Sequence, residues 1–216
     1  MTAAEQKIRE TGIVAILRGF DERRSFATTG ALVRGGVRAV EITANTSGFR
    51  ETLETVAESY ASAEVTIGAG TVLDAETARV AITSGAEFLV TPTFDSGVVE
   101  TGNRYGVPVL TGVATPTEAL AAYEAGAAMC KLFPARSLGP GFVSAVRGPL
   151  SQIPLVPTGG VSRENTPAFF EAGAVALGIG SSIAPTDAVK AGDAEELERR
   201  AAEFRTIAET HRHASE

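Results

Sequence analysis

The stretch "EAGAAMCKLFP" (residues 124–134) decides the fold: it runs from the end of a helix, through a glycine, into an apolar strand. Two other stretches repeat that order, "SGAEFLVTP" (84–92) and "EAGAVALGIG" (171–180). Their glycines, Gly85, Gly126 and Gly173, recur 41 and 47 residues apart. Glycine just past a helix closes it in a left-handed conformation. A period of about 40 residues gives one helix and one strand per unit. "RGGVRAVEI" (34–42) is a looser fourth copy.

Working outward, β-type runs occupy 12–19, 38–44, 64–70, 87–93, 108–114, 129–135, 155–161 and 174–182. Several are nearly continuous apolar runs, the pattern of parallel strands covered on both faces. Ala- and Glu-rich stretches of helical spacing, such as "PTEALAAYEAGA" (116–127), separate them, and no Asn-Gly or Asp-Gly hairpin signal occurs. Eight such units predict an α/β fold, a (β/α)8 TIM barrel. It is read as a single domain over 1–216, with a polar C-terminal helix and tail. A doubly wound open sheet is the competing arrangement and needs a break in the repetition.

Composition narrows the function. Apolar residues make up 44%, charged residues 21%, and the net charge is −7. That balance argues against nucleic acid or an acidic membrane as partner. No run approaches the length of a membrane span. "MTAAEQKIRE" (1–10) has no apolar signal core, so a cytoplasmic location is expected. One cysteine, Cys130, excludes an intrachain disulfide. Both histidines, His211 and His213, sit in the polar tail. The body therefore lacks Ser–His and Cys–His nucleophiles and the usual imidazole ligands of a catalytic zinc. Chemistry is left to carboxylate, lysine, arginine, hydroxyl and backbone groups.

Lysine is scarce: Lys7, Lys131 and Lys190, against sixteen arginines. Only Lys131 lies in an apolar run, and long charged side chains are seldom buried without a partner or a task. Glu41, inside "AVEIT" (39–43), poses the same problem. The two fall on the second and sixth strands, and alternate strands of a barrel fill one interior layer. They form either a structural ion pair or a reactive pair. In the second case desolvation frees the amine to attack a carbonyl, and the carboxylate shuttles protons. Cys130, next to Lys131, points to the opposite side of the strand and reads as packing.

The C-terminal ends of the strands, where barrels place their chemistry, supply Arg18, Glu41, Thr43, Asn45, Thr71, Thr91, Pro92, Lys131, Thr158, Gly159, Gly160, Gly180 and Ser181. The glycine-rich "VPTGGVS" (156–162) and "LGIGSS" (177–182) follow strands seven and eight, a common place for a phosphate site, with Ser181 or Ser182 as hydroxyl donor. In "IGAGTVLD" (67–74) Thr71 reads as a donor and Asp74 as a possible helix cap. Arg18, directly after an apolar run, reads as the partner of a carboxylate or phosphate.

Taken in order, "GIVAILRG" (12–19), "VEIT" (40–43), "IGAGTVLD", "TP" (91–92), "CKLFPA" (130–135), "PTGGVS" (157–162) and "IGSS" (179–182) resemble the 2-keto-3-deoxy-6-phosphogluconate (KDPG) aldolase family, over roughly residues 8–190. The resemblance implies a class I aldolase that cleaves the sugar-acid phosphate to pyruvate and glyceraldehyde 3-phosphate. It implies a homotrimer, with no metal and no other cofactor. It places Lys131 at the Schiff-base lysine and Glu41 at the general acid/base. Thr71 and Pro92 fall on the pyruvate pocket, and Thr158, Gly159, Gly160 and Ser181 on the phosphate side, with Gly180 in the same loop. Gluconate-type enzymes carry arginine four residues after the glutamate, where this chain has Asn45. At that position, and in "LGPGFVSAV" (138–146), the chain resembles galactonate-type relatives; "PTGG" resembles the gluconate type. The alternatives are a 2-keto-3-deoxy-6-phosphogalactonate or 4-hydroxy-2-oxoglutarate aldolase, a phosphate-binding barrel isomerase or decarboxylase that uses Lys131 only as a charge, and a non-catalytic sugar-phosphate-binding barrel.

Overall fold

The computed structural model describes residues 1–62 and 64–212; His213 lies outside the described residues. Eight parallel strands alternate with helices. They are β1 (Ile13–Leu17), β2 (Ala39–Thr43), β3 (Thr66–Gly70), β4 (Phe88–Val90), β5 (Val109–Val113), β6 (Met129–Leu132), β7 (Leu155–Pro157) and β8 (Leu177–Ile179). The spatial order β7-β6-β5-β4-β3-β2-β1-β8 follows the chain, and a Thr158–Gly178 bridge joins β7 to β8. The sheet is thus closed into a (β/α)8 barrel. A doubly wound sheet reverses its strand order part-way, and this one does not. Each strand is shorter than the run that signalled it, because the same apolar and glycine-rich composition continues into the βα turns.

Alternation along the strands separates two cores. Outward residues such as Ala15, Ile42, Ile67, Leu89, Cys130 and Leu155 pack under the surrounding helices. Inward residues, among them Val14, Ala39, Phe88, Leu110, Met129 and Val156, form a second cluster with Ala4 and Ile8 of α1 (Ala3–Thr11). The helix that precedes β1 therefore stoppers the N-terminal end of the barrel and leaves the opposite end for a site. Cys130 faces outward as expected, its thiol donating to the Ala119 carbonyl at 3.6 Å. Burial pushes that thiol up to about 12, which makes it inert packing.

Helix starts are written locally. The helices α2 (Glu22–Arg34), α3 (Phe49–Tyr60), α4 (Ala75–Thr83), α5 (Ser96–Tyr105) and α6 (Pro116–Glu124) follow β1 to β5 in turn. Asp21, Asp74, Asp95 and Thr115 cap α2, α4, α5 and α6. Asp74 accepts from the Thr77 N–H at 2.6 Å, so capping accounts for this carboxylate. After β6, α7 (Ala135–Arg147) is interrupted at Gly139 (φ 74°), just before Pro140. The helices α8 (Thr166–Glu171) and α9 (Thr186–Ala191) follow β7 and β8.

The closing helix α10 (Ala194–Arg212) is less polar in effect than its composition suggests. It buries Leu197, Ala201, Phe204 and Ala208 in one stripe. That stripe lies against α2 and α8. Gly35, just past α2, makes the contact possible: a Cβ there would sit 2.5 Å from the Ala201 Cβ and collide with the Glu198 carbonyl. None of the described helices is long and apolar enough to cross a membrane.

Two glycine substitutions should act in opposite directions. Overpacking at Gly35→Ala is expected to destabilise by about 1–3 kcal/mol. Gly141 has open space beside it and no positive φ. Gly141→Ala should stabilise by about 0.4–1 kcal/mol by restricting the unfolded chain. Thermal melts read both, at about 2–4 °C per kcal/mol for a chain of this size. An unchanged melt for Gly35→Ala would contradict the close α2–α10 approach.

Candidate active site

Small residues on the inner wall create the room for the site. A Cβ at Gly68 would fall 2.5 Å from the Phe88 ring, and one at Gly70 would overlap the carboxylate and stem of Glu41. β3 thus presents a bare backbone against which Glu41 and Phe88 lie. Glu41 is paired in register with Gly68, and Lys131 with Gly112 and Val156. Both charged side chains therefore point inward.

Glu41 is 1% exposed and Lys131 2%. Neither forms an ion pair or a hydrogen bond among the described residues, and Glu41 Oε1 is buried with no partner. The Lys131 ammonium lies 5.3 Å from the centre of the Phe133 ring. Snorkelling and a closed structural ion pair are both excluded as explanations of this lysine. Burial lowers the Lys131 pKa; Glu41 opposes that shift and Arg18 adds to it. Burial raises the Glu41 pKa, against the pull of Lys131 and Arg18. Each group is pushed toward its neutral form while remaining within the other's field. A neutral amine is a nucleophile, and a carboxyl group held near its neutral form can give and take protons.

Above Lys131 opens a cavity of 430 Å3, lined by Arg18, Phe133, Arg136, Thr158, the Gly159–Gly160 turn and the Gly180–Ser182 turn, among others. Of the residues expected from sequence, it brings together Arg18, Lys131, Thr158, Gly159, Gly160, Gly180 and Ser181. Glu41 is buried in the barrel interior. Thr71 and Pro92 are half-buried at the ends of β3 and β4, outside this lining. Thr71 adopts φ 56°, a left-handed conformation that costs a β-branched residue about 1–3 kcal/mol and marks a constrained turn. Gly112 lies so close under the Pro92 backbone that no side chain fits there. Asn45 is exposed and also outside the lining. The Thr46 hydroxyl accepts the Gly19 N–H at 3.1 Å and lies 3.2 Å from the Thr43 hydroxyl, which pins the turn and leaves Asn45 facing out.

Thr158 donates to the Val156 carbonyl at 3.2 Å, and Ser182 to the Val161 carbonyl at 2.7 Å. Ser182 is thereby committed to the turn, while Ser181 is exposed in the cavity. Sequence reasoning missed Phe133, Arg136 and Ser162. Phe133 reads as an ordinary core residue, and Arg136 stands just past the quoted "CKLFPA". A larger hollow of 630 Å3 lies between α2 and α9, where the charged Asp21, Glu22, Arg23, Arg24 and Lys190 surround uncharged residues such as Thr28, Val189 and Leu197.

Comparison with known proteins gives a family and a shared fold. The family model for KDPG and KHG aldolase matches residues 4–200. The chain is 34% identical to the 2-dehydro-3-deoxy-6-phosphogalactonate aldolase of Escherichia coli (strain K12), over 94% of this chain and 95% of that one. It is 35% identical to the 2-dehydro-3-deoxy-phosphogluconate aldolase of Pseudomonas aeruginosa, over 95% and 93%. A solved structure of native KDPGal superposes with a TM-score of 0.86 at 33% identity, covering 92% of this chain and 95% of that one.

The buried charges should weaken the fold. Glu41, with its folded pKa above the ordinary 4.5, loses its contribution to stability as pH rises through the folded value. Lys131, with its folded pKa below 10.5, loses its contribution as pH falls through the folded value. At neutral pH both groups therefore weigh against folding. The double variant Glu41→Met/Lys131→Met should be more stable than the parent by about 1–4 kcal/mol, read by thermal melting. A lower melting temperature would mean that the two charges hold the barrel together.

Proposed function

This chain belongs to the KDPG and KHG aldolase family, and from that premise we propose that it cleaves 2-keto-3-deoxy-6-phosphogluconate to pyruvate and glyceraldehyde 3-phosphate through a Schiff base on Lys131. The observation that carries the reading is Lys131 itself: buried, without an ion pair or hydrogen bond among the described residues, and open to the cavity. A structural lysine would have a partner. A binding protein would need neither this amine nor the unpartnered carboxylate near it.

The neutral Nζ adds to the C2 carbonyl, and loss of water leaves a protonated imine. That iminium withdraws electrons as the C3–C4 bond breaks, while the C4 hydroxyl gives up its proton and becomes the aldehyde. The enamine left behind is protonated at C3, and water then releases pyruvate and restores the amine. Glu41 is the group that carries these protons. Arg18, whose charge acts on both Lys131 and Glu41, takes the substrate carboxylate. Thr71 and Pro92 shape the pyruvate end. Thr158, Gly159, Gly160, Gly180 and Ser181 receive the phosphate. None of these steps uses a metal or other cofactor.

The galactonate epimer is the second reading, favoured by Asn45 and by "LGPGFVSAV"; Thr158 and the "PTGG" turn favour the gluconate epimer. We place the protein in the cytoplasm as one barrel domain over 1–216, assembled as a homotrimer. Exposed Leu73, Val80, Tyr105, Leu120 and Tyr123, spread over α4, α5, α6 and the turn before α4, support an interface between copies.

Borohydride added with pyruvate should inactivate the enzyme and add a reduced pyruvyl group to Lys131, located by peptide mass mapping. Glu41→Gln should retain the fold and slow turnover by about a hundredfold or more. Label confined to Lys7 or Lys190 would refute the Schiff-base assignment, and near-normal turnover in Glu41→Gln would move the proton shuttle elsewhere.

A further inference from the structure

The cavity carries a charge pattern that the reading above does not use. The protein has a net charge of −7, yet the cavity lining holds three basic side chains, Arg18, Lys131 and Arg136, and no carboxylate. These side chains are not equivalent. The charges acting on Lys131 are Glu41 and Arg18, and those acting on Glu41 are Lys131 and Arg18. Arg136 lies in the first turn of α7, against the Gly159–Gly160 turn, and so serves a different part of the cavity.

Its surroundings show which part. The Arg136 N–H donates to the Gly159 carbonyl at 2.8 Å. A Cβ at Gly160 would sit 2.5 Å from the Arg136 Cβ and 2.9 Å from its Nε, so the arginine side chain lies across the bare backbone of Gly160. Gly160 itself has φ 88°, a conformation that favours glycine a second time. Asn165 anchors this turn, donating from Nδ2 to the Gly160 carbonyl at 3.0 Å and accepting the Ser162 N–H at 2.8 Å. The N–H groups of Gly160, Gly180 and Ser181 donate to no group among the described residues. The Arg136 guanidinium likewise forms no ion pair or hydrogen bond among them. An unengaged guanidinium is thus held over a turn with unengaged amide donors, in a cavity of positive potential. That combination selects a doubly charged tetrahedral anion.

We propose that Arg136 is the specificity-determining residue for the phosphate end of the substrate, clamping the dianion against the Gly160 and Gly180–Ser181 amides. The assignment rests on the aldolase reading for its substrate and extends it to a residue outside the strand ends. Arg18 and Arg136 then hold the two anionic ends of one molecule, with the reacting carbonyl between them at Lys131. A ligand with only a short second carboxylate would engage Arg18 and leave Arg136 unpaired.

The test compares wild type, Arg136→Gln and Arg136→Lys on 2-keto-3-deoxy-6-phosphogluconate and on the unphosphorylated acid. In Arg136→Gln the ratio of kcat/KM for the phosphorylated over the unphosphorylated acid should fall about tenfold or more, mainly through KM, the loss expected for a charge-assisted pair. Arg136→Lys should recover part of the ratio, since it restores the charge and not the fork. Inorganic phosphate, titrated with 31P line broadening as readout, should bind correspondingly more weakly to Arg136→Gln without any turnover. Equal loss on both substrates, or unchanged phosphate binding, would overturn the proposal and make Arg136 a structural residue. Pyruvate-dependent borohydride labelling of Lys131 separates the two levels. Labelling with an unaltered ratio refutes the clamp and spares the Schiff base. No labelling in wild type refutes the aldolase reading, while phosphate binding still decides whether Arg136 holds an anion.

Discussion

An ammonium group without a counter-ion cannot sit in the dry interior of a protein at no cost, and Lys131 sits there 2% exposed. The rest of the molecule is arranged around that constraint. The barrel supplies a rigid wall that keeps the side chain from reaching bulk water. Glu41 lies near enough for its field to act, yet no ion pair closes between them. A direct contact would have stabilised the ammonium and removed the nucleophile. The separation leaves burial free to push the amine toward its neutral form and the carboxyl toward its acid form, the direction that imine chemistry needs.

The interior glycines are the structural counterpart of that electrostatic arrangement. Gly68 and Gly70 let Phe88 and Glu41 lie flat against β3, and Gly112 lets the loop after β4 settle on β5. Side chains at these positions would fill the space that the site needs. The lower half of the barrel is packed with Val14, Phe88, Leu110 and Met129 and closed by Ile8 from α1. That half is closed by packing, and the cavity opens at the strand C-termini. Stability is lost at the charged layer and recovered in the apolar one.

Much of this was legible in the sequence, for identifiable reasons. The helix–glycine–strand repeat around Gly85, Gly126 and Gly173 encodes the topology, and all three glycines indeed hold positive φ. Lys131 and Glu41 stand out because a charge inside an apolar run has few explanations. Strand ends were less legible, since β4 stops at Val90 and β8 at Ile179 while the same residue types continue into the turns. The stripe of α10 was hidden by the many Arg and Glu residues on its other faces. Arg136 was not legible at all: in sequence it is one of sixteen arginines, and only the fold lays it over Gly160. Asn45 shows the converse, a position singled out by resemblance whose side chain the Thr43–Thr46 turn directs outward.

Under the proposed reading, the basic cavity of an acidic protein links the electrostatics to turnover, because the charges that would draw in a polyanionic substrate also disfavour the ammonium form of Lys131. Arg18 lines that cavity and adds to the lowering of the Lys131 pKa. The central claim is that burial, and not pairing, sets the state of this amine. With only three lysines in the chain, the 13Cε signals of labelled lysine can be followed individually through a pH titration. The account predicts that the Lys131 signal titrates well below the ordinary 10.5 and that pyruvate abolishes this titration by forming the imine. A Lys131 signal that titrates at or above 10.5 would contradict it.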